Sequence, residues 1–186
     1  MTLSEGEKRT LLRAARESIR SELMRAKADS VESSGNLGVP CGAFVTLKKE
    51  GDLRGCIGRM DAELPLLRVV EAMARAAAFE DPRFPPLRAS EFDRISIEIS
   101  VLTPMERVKG ISEIVVGRHG VHMRRGFRSG VFLPQVPVEW GWDLDTYLKQ
   151  LCRKAGLPES ALDDPETELS VFEAIVFGEE DLKAQP

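Results

Sequence analysis

Apolar and polar positions along this chain change period several times, and each change marks an element. Leu11, Leu12, Ala15, Ile19 and Leu23 recur at helical spacing. Ser4-Glu5-Gly6-Glu7 precedes them as a capping box, with Ser4 as N-cap and Glu7 reaching back. A first helix is therefore expected within residues 1–29, burying that stripe and exposing Arg13, Arg16, Glu17 and Arg20. Ser33-Ser34-Gly35-Asn36 reads as a loop. Cys41 to Lys48 and Leu53 to Ile57 follow as two strands, and Lys49-Glu50-Gly51-Asp52 joins them as a hairpin turn.

Leu64 to Phe79 returns to helical spacing, with Leu67, Val70, Met73, Ala74 and Ala77 on one face. Its alanines permit close packing on a sheet. Asp81-Pro82-Arg83-Phe84-Pro85-Pro86 ends it, because closely spaced prolines forbid helix and stiffen a loop. Ile95 to Val101 alternates strictly, so Ile95, Ile97, Ile99 and Val101 face a core and Ser96, Glu98 and Ser100 face away. Short strands are expected at Ile114–Val116, Gly120–Met123 and Val131–Leu133, and a last one at Val171–Phe177. Asp143 caps a helix that runs to Ala155 and stops at Gly156 and Pro158. The mixture predicts an α+β fold, a largely antiparallel sheet flanked by helices.

Charge and composition narrow the setting. A net charge of −4 gives no support to broad binding of nucleic acid, and the Arg124-Arg125-Arg128 cluster reads as a solvated turn. Three cysteines, Cys41, Cys56 and Cys152, cannot all pair within one chain. Without a Cys-x-x-Cys, and with His119 and His122 as the only histidines, the zinc spacing signature is missing. Reduced cysteines in a cytoplasmic protein are expected, with no cofactor and no metal. Met1 to Asp29 has no apolar run of signal-peptide type, and no segment approaches the ~20 apolar residues that span a bilayer.

The chemistry concentrates in Leu53-Arg54-Gly55-Cys56-Ile57-Gly58. Gly55 and Gly58 let another group approach the main chain. Strand alternation puts Arg54 and Cys56 on one face, which leaves Cys56 either an accessible thiol beside a cation or a small buried side chain. A thiol nucleophile needs a base; Glu98 and His119 are the candidates, against the plainer readings of a salt-bridged Glu98 and a turn residue at His119. Arg54 and Arg83 are candidates for holding a carboxylate or phosphate. Internal pairing of Arg83, with Asp81 or Glu98, is the competing reading. Gln135 follows a Pro-containing segment as a further candidate ligand group, and Cys41 and Cys152 sit on apolar faces as core.

Six segments occur in order: Phe44-Val45-Thr46-Leu47, the Leu53–Gly58 motif, Asp81-Pro82-Arg83-Phe84, Ile97-Glu98-Ile99-Ser100-Val101-Leu102, Leu133-Pro134-Gln135-Val136 and Lys154-Ala155-Gly156-Leu157. Together they resemble the AMMECR domain family from about Cys41 to Phe177. The resemblance implies one domain over residues 1–186 with a larger and a smaller lobe, a cleft between them and the Leu53–Gly58 motif facing that cleft. The 1–29 helix would pack on the larger lobe. It also implies association with Memo-like and radical SAM proteins. Two functions are consistent with these residues. One is a binding domain for a small anionic ligand or a partner protein, touching neither nucleic acid nor membrane. The other is a thiol-dependent enzyme, or a component of a Memo/radical SAM-associated system, that uses Cys56. Ligand, partner and oligomeric state cannot be read from the residues.

Overall fold

The computed structural model describes residues 1–26 and 35–183. Its helices are α1 (Glu5–Met24), α2 (Leu66–Phe79), α3 (Gln135–Glu139), α4 (Leu144–Ala155) and α5 (Glu179–Lys183). Its strands are β1 (Ala43–Lys49), β2 (Asp52–Arg59), β3 (Ile95–Leu102), β4 (Glu106–Arg107), β5 (Gly120–Arg125), β6 (Arg128–Phe132), β7 (Glu168–Phe172) and β8 (Ala174–Gly178). Among the described residues the strands form two sheets, ordered β2-β1-β3-β8 and β4-β7-β5-β6. The chain divides into two compact units, Met1–Leu102 with Ile175–Pro186, and Thr103–Ala174. The fold is α+β, with antiparallel sheets flanked by helices.

In the first unit, α1 begins where the capping box placed it. Glu7 N–H donates to Ser4 Oγ at 3.3 Å, and Ser4 N–H donates to Glu7 Oε2 at 2.8 Å. The helix ends at Met24, and Arg25 turns the chain with a φ of 51°. Lys27–Asp29 of the predicted segment, with Ser33 and Ser34 of the predicted loop, lie outside the described residues. Leu11, Ala15 and Ile19 of α1 and Leu67, Val70 and Ala74 of α2 join Val45, Leu47, Ile97 and Ile99 in one apolar core. Burying such a stripe against a sheet is the main source of stability for helices of this length. Arg16 departs from its expected exposure. Its guanidinium is held by Glu179 of α5 at 2.6 Å and by the carbonyls of Phe92 and Ile95.

β1 runs antiparallel to both β2 and β3. Glu50 (φ 56°) and Gly51 (φ 93°) form the β1–β2 turn, the positive-φ pair whose twist matches a two-residue hairpin. The alternation of Ile95, Ile97, Ile99 and Val101 is realised on β3, where all four are buried.

In the second unit, Tyr147, Leu148, Leu151 and Cys152 of α4 pack with Val121, Met123, Leu169 and Val171. Asp143 caps α4 by accepting the Thr146 N–H at 2.8 Å, and Gly156 ends it at φ 67°. Buried Tyr147 spends its hydroxyl by accepting the Val121 N–H at 3.1 Å.

Two expectations are corrected, and one stretch without an assigned element proves helical. Ile114–Val116 is not a strand: Ile114 caps a 3-10 turn at Ile111–Glu113 by donating its N–H to Ile111, which bends the main chain away from a ladder. Val171–Phe177 is not one strand but the end of β7 and most of β8, in different sheets. Glu173 separates them and is tied to Thr103 instead, donating its N–H to Oγ1 at 2.8 Å and accepting the Thr103 N–H at 2.9 Å. The Pro134–Pro137 stretch forms helix α3, because Pro134 is its N-cap and Pro137 lies in the first turn, where a missing N–H costs nothing.

Candidate functional site

The Leu53–Gly58 motif lies on β2, an edge strand. Leu53 pairs with Lys48 and Gly55 with Leu47, so Arg54 is the extra residue of a β-bulge. The bulge breaks the alternation that would have set Arg54 beside Cys56. Arg54 is instead 8% exposed. Its Nε and Nη2 reach the Glu91 carboxylate at 3.2 and 3.1 Å, and Nη2 also donates to the Pro85 carbonyl at 2.9 Å. Lys49 Nζ joins Glu91 at 2.9 Å. Arg54 first, then Lys49, pull the Glu91 carboxyl down to about 2. The Arg54 cation is thus neutralised inside the unit.

Each glycine answers a specific neighbour. A Cβ at Gly55 would lie 2.1 Å from the Ala77 carbonyl oxygen, so only glycine lets the end of α2 sit on β2. A Cβ at Gly58 would lie 2.2 Å from the Phe44 ring, which covers its cross-strand partner. Ile57 packs against the core between them.

Cys56 is gripped through its main chain. Its N–H donates to Asp81 Oδ2 at 2.9 Å, and its carbonyl accepts from Arg83 Nη2 at 3.3 Å. Asp81 and Arg83 are themselves paired, Nη2 to Oδ2 at 2.7 Å and Nε to Oδ1 at 3.0 Å. Asp81 is 4% exposed. The Arg83 guanidinium, with the Cys56 and Arg83 N–H groups, holds its carboxyl far below the usual carboxylate range. The pair supplies the partners that an edge strand otherwise lacks. The arginine side chain is 54% exposed, and no bond is assigned to its Nη1 among the described residues.

The Cys56 thiol is half-buried, and Thr46 Oγ1 donates to Sγ at 3.3 Å. Cys56, Thr46 and Glu98 stand in register across β2, β1 and β3. Glu98 is in an ion pair with Lys48 at 2.9 Å. His119 and Gln135 belong to the second unit. His119 Nδ1 accepts the Val115 N–H at 3.2 Å, which leaves the ring hydrogen of the neutral form on Nε2 as a donor. Gln135 opens α3, its Oε1 buried without a hydrogen-bond partner among the described residues. Cys41 and Cys152 are core, as expected, and burial pushes both thiols up. No three His, Cys, Asp or Glu groups among the described residues gather as a metal site.

Thr46, Glu91 and Phe44 escaped the reading of the sequence as site residues. Phe44 and Thr46 stand in the Phe44–Leu47 segment, whose alternation places both on the Cys56 face. Glu91 carried no comparable signal, because it meets Arg54 across 37 residues.

A two-sheet α+β chain with this glycine-bearing edge strand matches one family of proteins. The chain belongs to the AMMECR1 family, whose model matches residues 12–177. It is 45% identical over 191 residues to protein MK0488 of Methanopyrus kandleri, covering 97% of this chain and 91% of that one. A protein of Thermococcus gammatolerans is 49% identical over 152 residues, covering 75% and 73%. The crystal structure of the uncharacterized protein PH0010 from Pyrococcus horikoshii superposes with a TM-score of 0.81 at 39% identity, covering 92% of this chain and 90% of that one.

Proposed function

We propose that the protein is a binding domain that takes a small anionic ligand on the sheet face carrying Cys56. One observation carries the reading: the groups considered for catalysis are engaged elsewhere, while the Cys56 thiol is only half-buried and the Arg83 side chain that bonds the Cys56 carbonyl is 54% exposed. Glu98 is spent on Lys48 and His119 on the Val115 N–H, so neither stands ready as a base. Arg54 is spent on Glu91, which removes it from ligand binding and leaves Arg83. Asp81 balances most of the Arg83 charge, so the anion is held by hydrogen bonding more than by net charge. Gly55 and Gly58 serve by shaping the strand. No helix among the described residues is long and apolar enough to cross a membrane. A cytoplasmic setting belongs to the same reading.

Native mass spectrometry of the protein isolated gently from cells tests this. A non-covalent small-molecule adduct is expected that persists in Cys56→Ser and disappears once Cys56 is blocked with N-ethylmaleimide. No adduct, or one indifferent to the blocked thiol, overturns the reading. A polypeptide adduct replaces the small ligand with a protein partner, of which the Memo-like and radical SAM proteins are the first to test.

A second reading has one observation in its favour. The Thr46 hydroxyl within 3.3 Å of the Cys56 sulfur is an arrangement a thiol-dependent enzyme would use. On that reading Cys56→Ser abolishes all function, which separates it from the first.

A further inference from the structure

A cavity of about 760 Å³ lies within the Thr103–Ala174 unit, between two segments of chain. Residues 107–111 bring Arg107 and Lys109 to one wall, and residues 162–169 bring Asp163, Asp164 and Thr167 to the other. Val108 and Leu169 supply apolar surface. The volume falls in the ~300–1,000 Å³ range of small-molecule sites.

The charges on these walls are unevenly spent. Asp164 is paired with Arg125 at 2.5 Å and accepts the Glu166 N–H at 2.8 Å. Arg107 leans on Glu168 at 3.5 Å, and Glu168 is held more closely by Arg124 at 2.6 Å. Lys109 and Asp163 have no ion-pair partner among the described residues. Thr167 Oγ1 is buried without a hydrogen-bond partner among the described residues. Closed to solvent, that oxygen is turned into protein and not into the cavity. What remains is one cation from residues 107–111, one carboxylate from residues 162–169 and the apolar surface of Val108 and Leu169.

We propose that this cavity is a binding site for a small zwitterion with apolar side chains, of the class of a short peptide with free termini. Its carboxylate meets Lys109 and its ammonium meets Asp163. A free single amino acid shares the charges but fills little of the volume, so the peptide is the better match. The site belongs to the other compact unit from Cys56, and it does not rest on the function proposed for the Cys56 face.

The test is an amide-resolved NMR titration of the full chain with leucyl-leucine. Two capped forms serve as controls: the N-acetyl peptide lacks the ammonium and the C-terminal amide lacks the carboxylate. Saturable shifts are expected at the amides of residues 107–111 and 162–169, and each capped form should bind about tenfold or more weakly. Lys109→Met should weaken the free peptide but not the amide form. Asp163→Asn should weaken the free peptide but not the acetylated form. Both residues are exposed, so the variants should keep the wild-type spectrum elsewhere. No saturable shift at millimolar peptide overturns the proposal, as does equal binding by the free and capped forms.

Discussion

Asp81 holds Cys56 by the main chain, accepting its N–H at 2.9 Å from a loop 25 residues further on. Arg83, paired to the same carboxylate, reaches the Cys56 carbonyl at 3.3 Å. An acid and a base thereby finish the edge of a sheet and fix the backbone that carries the thiol.

Asp81→Ala should cost about 1–3 kcal/mol, because it leaves the Cys56 N–H without its acceptor and frees Arg83. Asp81→Asn should recover part of that loss, since an amide oxygen still accepts the N–H. Urea unfolding gives the energies, and amide exchange at Cys56 gives the location. Exchange at Cys56 unchanged in Asp81→Ala would show that the clamp contributes nothing.

The pairing of Glu91 with Arg54 and Lys49 sets a pH dependence. The carboxyl is lowered from 4.5 to about 2 on folding. A lowered folded value means that the stabilisation is fully present above 4.5 and drains away as pH falls toward 2. Its size at neutral pH is on the order of 2 kcal/mol. Glu91→Gln should therefore be less stable than wild type at neutral pH, with the two converging below pH 3. Stability measured against pH by denaturant unfolding checks this; a constant difference across the range would contradict it. Asp81, also held low by its partners, loses its contribution in the same acid direction.

Gly55→Ala and Gly58→Ala should differ. The first drives a methyl into the Ala77 carbonyl oxygen, part of a helix that cannot yield, and is expected to cost more than about 3 kcal/mol or to prevent folding. The second meets the Phe44 ring, a side chain that can turn aside, at about 1–3 kcal/mol. Adding Phe44→Ala to Gly58→Ala should relieve part of that cost, a coupling that a double-mutant cycle measures. Equal costs for the two glycines would contradict these neighbours.

Cys56 should react with a small alkylating agent before Cys41 and Cys152. Those two are 4% and 0% exposed, and burial pushes both thiols up, which suppresses the reactive thiolate. Cys56 is only half-buried. Mass spectrometry of the labelled native protein reads the order. Labelling of all three together, and only on unfolding, would remove Cys56 from any accessible site.

Local signals were legible wherever the chain answers itself over a few residues. Ser4 and Glu7 cap each other across a single turn, Ile95 to Val101 alternate along one strand, and Asp143 and Gly156 bound α4, because caps and periodicity depend only on neighbours. The same local logic failed at Arg54. One extra residue in β2 shifts every side chain beyond it, and a bulge leaves no mark in the apolar pattern. It failed again at Val171–Phe177, a run apolar except at Glu173, where the fold divides it between two sheets.

By itself the sequence determined the α+β class, most element positions and the motif around Cys56, since burial patterns and turn residues act along the chain. Only the tertiary structure decided what the charged residues do. Arg54 could have bound a ligand until Glu91, 37 residues on, proved to be its partner. Glu98 could have been a base until Lys48 came beside it from the neighbouring strand. An ion pair forms between whichever groups folding brings within a few ångströms, and separation along the chain does not specify that distance.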